Sequence, residues 1–175
     1  MSVLLLPAGP ADAEALAHVH VTSWRQTYRG MLPDAYLARM SEADFARRFR
    51  RALTHPGPND VTLAAAARDG LIGYAQGGPS RFGGEREGEI ATLYVLRAGP
   101  GVGVGRRLTV ASARALAAQG ARSLVISVLR DNLHARGFYE HLGGAADPVR
   151  AERGPGGALL QEVLYRWPDI GRLID

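Results

Sequence analysis

The segment Leu93–Leu108, LYVLRAGPGVGVGRRL, constrains this chain more than any other part of it: an apolar run, then glycines at 99, 101, 103 and 105, then helical spacing. Glycines in such a place permit a tight strand-to-helix turn, and without Cβ atoms the backbone N–H groups can approach a ligand closely. A loop of this kind opening onto a helix N-terminus suits phosphate oxygens. Arg106 and Arg107 add positive charge beside it. Two other phosphate loops fail on spacing. The dinucleotide fingerprint G-x-G-x-x-G would end on Arg106 if counted from Gly101, and on Val104 if counted from Gly99. A P-loop needs a lysine after its last glycine, and the chain has no lysine at all.

The flanking segments supply the frame. Val3–Leu6 reads as a strand ended by Pro7, and Ala11–Tyr28 as a helix with Asp12 as its N-cap and Ala15, Leu16, Val19 and Trp24 at helical spacing. Gly30 and Pro33 end that segment, and a short helix starts at Pro33 or Asp34. Ser41–Leu53 is a third helix, with Phe45, Phe49 and Leu53 on one stripe. Val61–Ala67 and Leu71–Gln76 flank Arg68-Asp69-Gly70, a hairpin signal. Gly77–Gly88 reads as a glycine-rich connection and Glu89–Leu96 as the next strand. Gly105–Gln119 is a helix stopped by Gly120, Ser123–Leu129 a strand, and Asn132–Leu142 a helix ended by Gly143-Gly144. Two weaker strands follow, near Ala145–Glu152 and Leu159–Tyr165. The order predicts one mixed α/β domain over residues 1–175, with Glu89–Leu129 a right-handed βαβ unit.

Composition removes several alternatives. The 175 residues suffice for one domain, and 46% hydrophobic with 22% charged residues is the profile of a folded protein. No apolar run is long enough for a membrane helix and Met1–Leu6 lacks a basic start, so a cytoplasmic location without membrane association is expected. The absence of cysteine excludes thiolate catalysis and disulfides. All 21 basic residues are arginine, giving a net charge of +4. Arg47, Arg48, Arg50 and Arg51 form a charge run that reads as a solvated helix face rather than a nucleic-acid site. His18 and His20, two apart on a helix, face different directions; with no other ligand cluster, no metal is expected. Glu14 and His18, four apart, are expected to pair.

The glycine loop, with Leu93-Tyr94-Val95 before it and Asn132 and Phe138-Tyr139 after it, resembles the GCN5-related N-acetyltransferase (GNAT) family over roughly Glu89–Gly144. The resemblance implies a central, mostly antiparallel sheet with one parallel, splayed strand pair flanked by helices. It also implies acetyl-CoA as cosubstrate. Pro100-Gly101-Val102-Gly103-Val104-Gly105 aligns with the family's Gln/Arg-x-x-Gly-x-Gly/Ala signature, whose main-chain amides bind the CoA pyrophosphate. Pro100 departs from that signature, lacking both a side-chain donor and an N–H, so weaker or rearranged pyrophosphate binding is expected, with Arg97 a conceivable substitute.

By the same resemblance, Leu93, Tyr94 and Val95 hold the pantetheine arm, while Gly101, Val102, Gly103, Val104, Gly105 and Arg106 hold the phosphates. Asn132 becomes a CoA contact, though it serves equally well as an N-cap, and Tyr139 the acid, though it also fits as a packing residue. Glu89 matches the general-base glutamate of histone-type members, with Glu85 and Glu87 on the preceding loop as weaker candidates. Trp24 and Tyr28, sharing a helix face, line a pocket for the acceptor or pack in the core; Arg25 and Arg29 either attract an acidic acceptor or are simply exposed. The expected function is acetyl transfer to a primary amine of a small molecule or peptide N-terminus. The rival is a non-catalytic acyl-CoA-binding module. Many family members pair as homodimers, and the sequence leaves the oligomeric state open.

Overall fold

A computed structural model describes residues 2–97 and 103–174. One eight-stranded sheet organises it. The strands are β1 (Leu4–Pro7), β2 (Val61–Ala67), β3 (Gly70–Pro79), β4 (Glu87–Val95), β5 (Ser123–Leu129), β6 (Ala145–Ala146), β7 (Arg150–Arg153) and β8 (Leu159–Trp167). They lie in the order β1-β2-β3-β4-β5-β8-β6, with β7 also on β8. Every pairing is antiparallel except β4 with β5. The mixed sheet that the resemblance implied is therefore present.

Helices cover both faces. α1 (Ala13–Thr27) and α3 (Glu42–Thr54) pack together over β3, with Leu16, Val19 and Phe49 against Ala64 and Tyr74. α2 (Asp34–Arg39) follows α1, and Arg25 binds it by donating from Nε to the Leu37 carbonyl at 3.1 Å and from Nη2 to the Met40 carbonyl at 2.8 Å. α4 (Val104–Ala118) lies across the other face over β2, β3 and β4. Its buried stripe is Val104, Leu108, Thr109, Ser112, Ala113 and Leu116, the helical spacing that lets one face leave water. α5 (Leu133–His141) packs Tyr139 toward Tyr165 and Trp167, and α6 (Gly171–Ile174) closes the chain against α4.

Several local expectations need correction. Asp12 makes no side-chain cap to α1; its carboxylate accepts the Gly9 N–H at 2.8 Å across a 3-10 turn. Glu14 pairs with Arg50 of α3, and His18 Nδ1 lies 3.1 Å from Glu42, so these two side chains tie α1 to α3 instead of to each other. In the arginine run, Arg47 pairs with Asp44, and Arg48 lies over the Phe45 ring.

Gly77–Gly88 is not a plain connection: β3 runs on to Pro79 and β4 begins at Glu87. Gly77 pairs with Ile90 and Gln76 with Thr92, which leaves Ala91 as an extra residue bulged out of β4. Gly77 is required at that step because a Cβ there would stand 2.4 Å from the Glu89 carbonyl oxygen, a backbone atom that cannot turn aside. Gly77→Ala is therefore expected to lower stability by about 2 kcal/mol, the scale of overpacking. A urea denaturation midpoint equal to that of the unsubstituted protein would show that the bulge yields freely.

Candidate active site

β4 and β5 run parallel but share only three register pairs, Glu87 with Ser123, Gly88 with Leu124 and Glu89 with Val125. Beyond Glu89 they part. From Ile90 onward β4 keeps its β3 partner on one edge and has no β5 partner on the other. A cavity of about 420 Å³ fills the opening, walled by Thr92, Leu93, Tyr94 and Val95 of β4 and by Ile126, Ser127 and Val128 of β5. The bulge at Ala91 lies just past the vertex, where it turns backbone N–H groups out of the regular ladder.

At the wide end the cavity meets Gly103, Gly105 and Arg106 at the start of α4, together with Asn132 and Phe138. Gly103 precedes the first turn of α4 at φ +80°, a left-handed conformation for which glycine is the natural residue. The unpaired N–H groups of that first turn carry the positive end of the helix dipole. Val104 is fully packed in the core, so its contribution to a ligand is limited to main chain. Gly101, Val102 and Pro100 lie outside the described residues. Arg107 is turned away, donating to the Val3 carbonyl at 2.9 Å, and Arg97 donates to the Gln26 carbonyl at 3.2 Å. Of the loop cations, Arg106 is the one on the cavity wall.

Asn132 caps α5, its Oδ1 accepting the Ala135 N–H at 3.2 Å. It also lines the cavity, so both readings of this residue keep a structural basis. Tyr139 lies two turns further on and forms part of the same wall. It is only 5% exposed, with its ring against Phe138, Tyr165 and Trp167. Burial raises its phenol above the ordinary tyrosine range, which makes it a weaker acid than a free tyrosine.

The opposite wall comes from the end of α1: Ser23, Thr27 and Tyr28. Tyr28 and Tyr94 share a hydrogen bond of 3.0 Å between their hydroxyls. Burial raises both phenols as well. Trp24 is not on the cavity wall. It meets Tyr28 edge to face at a centroid distance of 5.0 Å and joins a largely half-buried aromatic group with His20, Tyr36 and Tyr94, so it supports the wall rather than forming it.

Glu89 is 4% exposed at the vertex, and it borders a separate cavity with Gln76 and Gly77. Its Oε2 accepts the Arg81 N–H at 3.1 Å. Arg81 Nε stands 3.0 Å from Oε1 without meeting that oxygen along its N–H direction, so Oε1 is held by charge alone. Glu87 belongs to β4 itself and is engaged by Arg166 and Ser80, which removes it from the set of loop carboxylates facing the cleft.

Sequence reading missed the hydroxyl groups of the cleft. Ser23, Thr92 and Ser127 all line it, and Ser23 Oγ and Thr92 Oγ1 are buried with no hydrogen-bond partner among the described residues. It also missed Glu162 on β8, whose Oε2 accepts the Ser127 hydroxyl at 2.7 Å. No local motif marks these residues. They are joined only by strand pairing.

Parallel strands that part after three pairs, with a helix N-terminus at their wide end and tyrosines on the walls between them, define the architecture of acyl-CoA-dependent acyltransferases. Residues 21–144 match the family model described as the Acetyltransferase (GNAT) family, and the chain belongs to that family of acyltransferases. The uncharacterized N-acetyltransferase YuaI of Bacillus subtilis strain 168 is 30% identical over 167 residues, covering 93% of this chain and 91% of that protein. Among solved structures, the PaiA N-acetyltransferase of Thermoplasma acidophilum, determined with coenzyme A, superposes with a TM-score of 0.67 at 21% identity over 93% of this chain and 98% of its own. The yncA protein of Salmonella typhimurium, determined with acetyl-CoA, gives a TM-score of 0.71 at 16% identity over 95% and 94%. Among the described residues no helix is long and apolar enough to cross a membrane.

Proposed function

We propose that the protein transfers the acetyl group of acetyl-CoA to a primary amine, on a small molecule or a peptide N-terminus, by direct attack within a ternary complex. The observation that carries this reading is the opening between β4 and β5, which runs from the N-terminus of α4 to Tyr28 and Tyr139. Structural relatives solved with CoA or acetyl-CoA support the choice of donor.

The residues fit the donor in three ways. The free edge of β4 offers backbone groups of Leu93, Tyr94 and Val95 to the amides of a pantetheine arm. The first turn of α4, with Gly103, Gly105 and Arg106, offers N–H groups and charge to a pyrophosphate. A main-chain N–H near the bulge is placed to polarise the thioester carbonyl, as an oxyanion donor does.

As the amine nitrogen bonds to the carbonyl carbon the carbon–sulfur bond breaks, and Tyr139 delivers a proton to the departing thiolate. The ammonium proton must already have left. Glu89 is the carboxylate that its place on β4 nominates for it; from its position off the cavity wall, paired with Arg81, it acts through water. A base at Glu89 predicts that Glu89→Gln moves the rate profile toward higher pH, where more acceptor is already free amine. An unshifted profile removes Glu89 from the reaction.

The main test is mass spectrometry across a panel of primary amines incubated with acetyl-CoA. A product heavier by one acetyl group, formed in step with CoA release, supports the reading. Acetyl-CoA binding with no product from any amine supports a binding module instead.

A further inference from the structure

A second carboxylate has a shorter route to the cleft than Glu89. Ser127 is on the cavity wall, on the β5 side, and its hydroxyl donates to Glu162 Oε2 at 2.7 Å. Glu162 stands opposite Leu129 on the neighbouring strand, with its side chain 14% exposed. The groups facing it can be named element by element. Ser127 comes from β5. Arg150 comes from β7, with Nε 3.9 Å away while its guanidinium is engaged by Glu152. Tyr28 comes from the end of α1, where the charge of Glu162 adds to burial in raising the phenol. Neither carboxylate is on the cavity wall, but Glu162 reaches it through Ser127, whereas Glu89 has Arg81 on both oxygens.

We propose that Ser127 and Glu162, in place of Glu89, form the relay that removes the proton from the acceptor amine, an assignment that rests on the acetyl-transfer reading of the cleft. The ammonium N–H bond breaks as its proton passes to Ser127 Oγ, and the proton of Ser127 passes to Glu162. Glu162 ends as the neutral acid, and the nitrogen keeps the electron pair it needs for attack. Nothing but a proton moves, and no co-reactant is required.

The test compares the unsubstituted protein with Glu162→Gln, Ser127→Ala and Ser127→Thr, each checked for folding by its melting temperature and for acetyl-CoA binding by calorimetry. The relay predicts that Glu162→Gln and Ser127→Ala lower kcat/KM for the amine about a hundredfold near neutral pH, with acetyl-CoA affinity unchanged. The deficit shrinks as pH rises toward the pKa of the amine, because free amine no longer needs the relay. Ser127→Thr, which keeps the hydroxyl, restores most of the rate. If Glu162→Gln fails to fold, the two serine variants carry the test by themselves. Normal turnover by the unsubstituted protein, with an unaltered pH profile in the folded Glu162 or Ser127 variants, overturns the relay alone. No acetylated product from any amine overturns the acetyl-transfer reading, and the relay with it.

Discussion

Replacing Tyr139 by phenylalanine is expected to lower kcat on the order of a thousandfold while leaving acetyl-CoA affinity within about twofold, the pattern for a proton donor that acts only in the transition state. The substitution removes one hydroxyl and keeps the ring, so the contacts with Phe138, Tyr165 and Trp167 persist. A structural role would leave the rate nearly intact, because the packing is preserved. A thiolate leaving group needs a proton, and the Tyr139 hydroxyl on the cavity wall carries one, with burial making that phenol a weaker acid than a free tyrosine. Steady-state rates at saturating amine, set beside calorimetric titration with acetyl-CoA, separate the two roles. A rate close to that of the unsubstituted protein would reduce Tyr139 to a packing residue.

The second large effect concerns His20. It is 6% exposed, its Nδ1 lies 2.5 Å from the Tyr74 hydroxyl, and its Nε2 has no partner among the described residues. Burial, reinforced by the charge of Arg48, pulls its pKa from 6.5 down to about 4. The unfolded chain therefore takes up a proton at this residue below about pH 6.5, whereas the folded chain resists protonation until about pH 4. Since protonation favours the unfolded state across that window, stability falls as pH drops through it. The full loss is about 3 kcal/mol, of which about 2 kcal/mol is reached by pH 5. Urea midpoints of the unsubstituted protein and of His20→Gln, measured from pH 7.5 to pH 5, test this. The difference between the two proteins must narrow toward acid, because the glutamine has nothing to titrate. Parallel curves would show that His20 titrates alike in the folded and unfolded chain.

The sequence made some of this legible and hid the rest, for physical reasons that differ from place to place. The Asp69-Gly70 hairpin, the α4 stripe and the Asn132 cap are local: each is written in residues a few positions apart, so spacing alone locates them. Gly77-Gly78-Pro79 has no side chains to alternate, and its strand character comes only from pairing with 88–90 of β4. Trp24 and Tyr28 share a face, as their spacing implies, but one turn of helix separates a wall residue from a supporting one. Glu14 and His18 have the right spacing for each other and stronger partners on α3. The Ser127–Glu162 pair spans 35 residues and has no motif, so only the β5–β8 register reveals it.

The short seam between β4 and β5 also governs how the molecule holds together. Within the sheet itself, three rungs of parallel ladder and the ion pair of Arg166 with Glu87 join β1–β4 to β5–β8, while α4 and the shared core from Ile90 to Leu124 and Tyr165 join them from one face. A ligand lying along the free edge of β4 would act as an interior strand, supplying the rungs that the protein omits. Its binding energy would then enter the cohesion of both halves at once. Donor occupancy and the cohesion of the sheet would become one equilibrium. Amide hydrogen exchange across 90–95 would report that coupling directly, slowing when donor is bound.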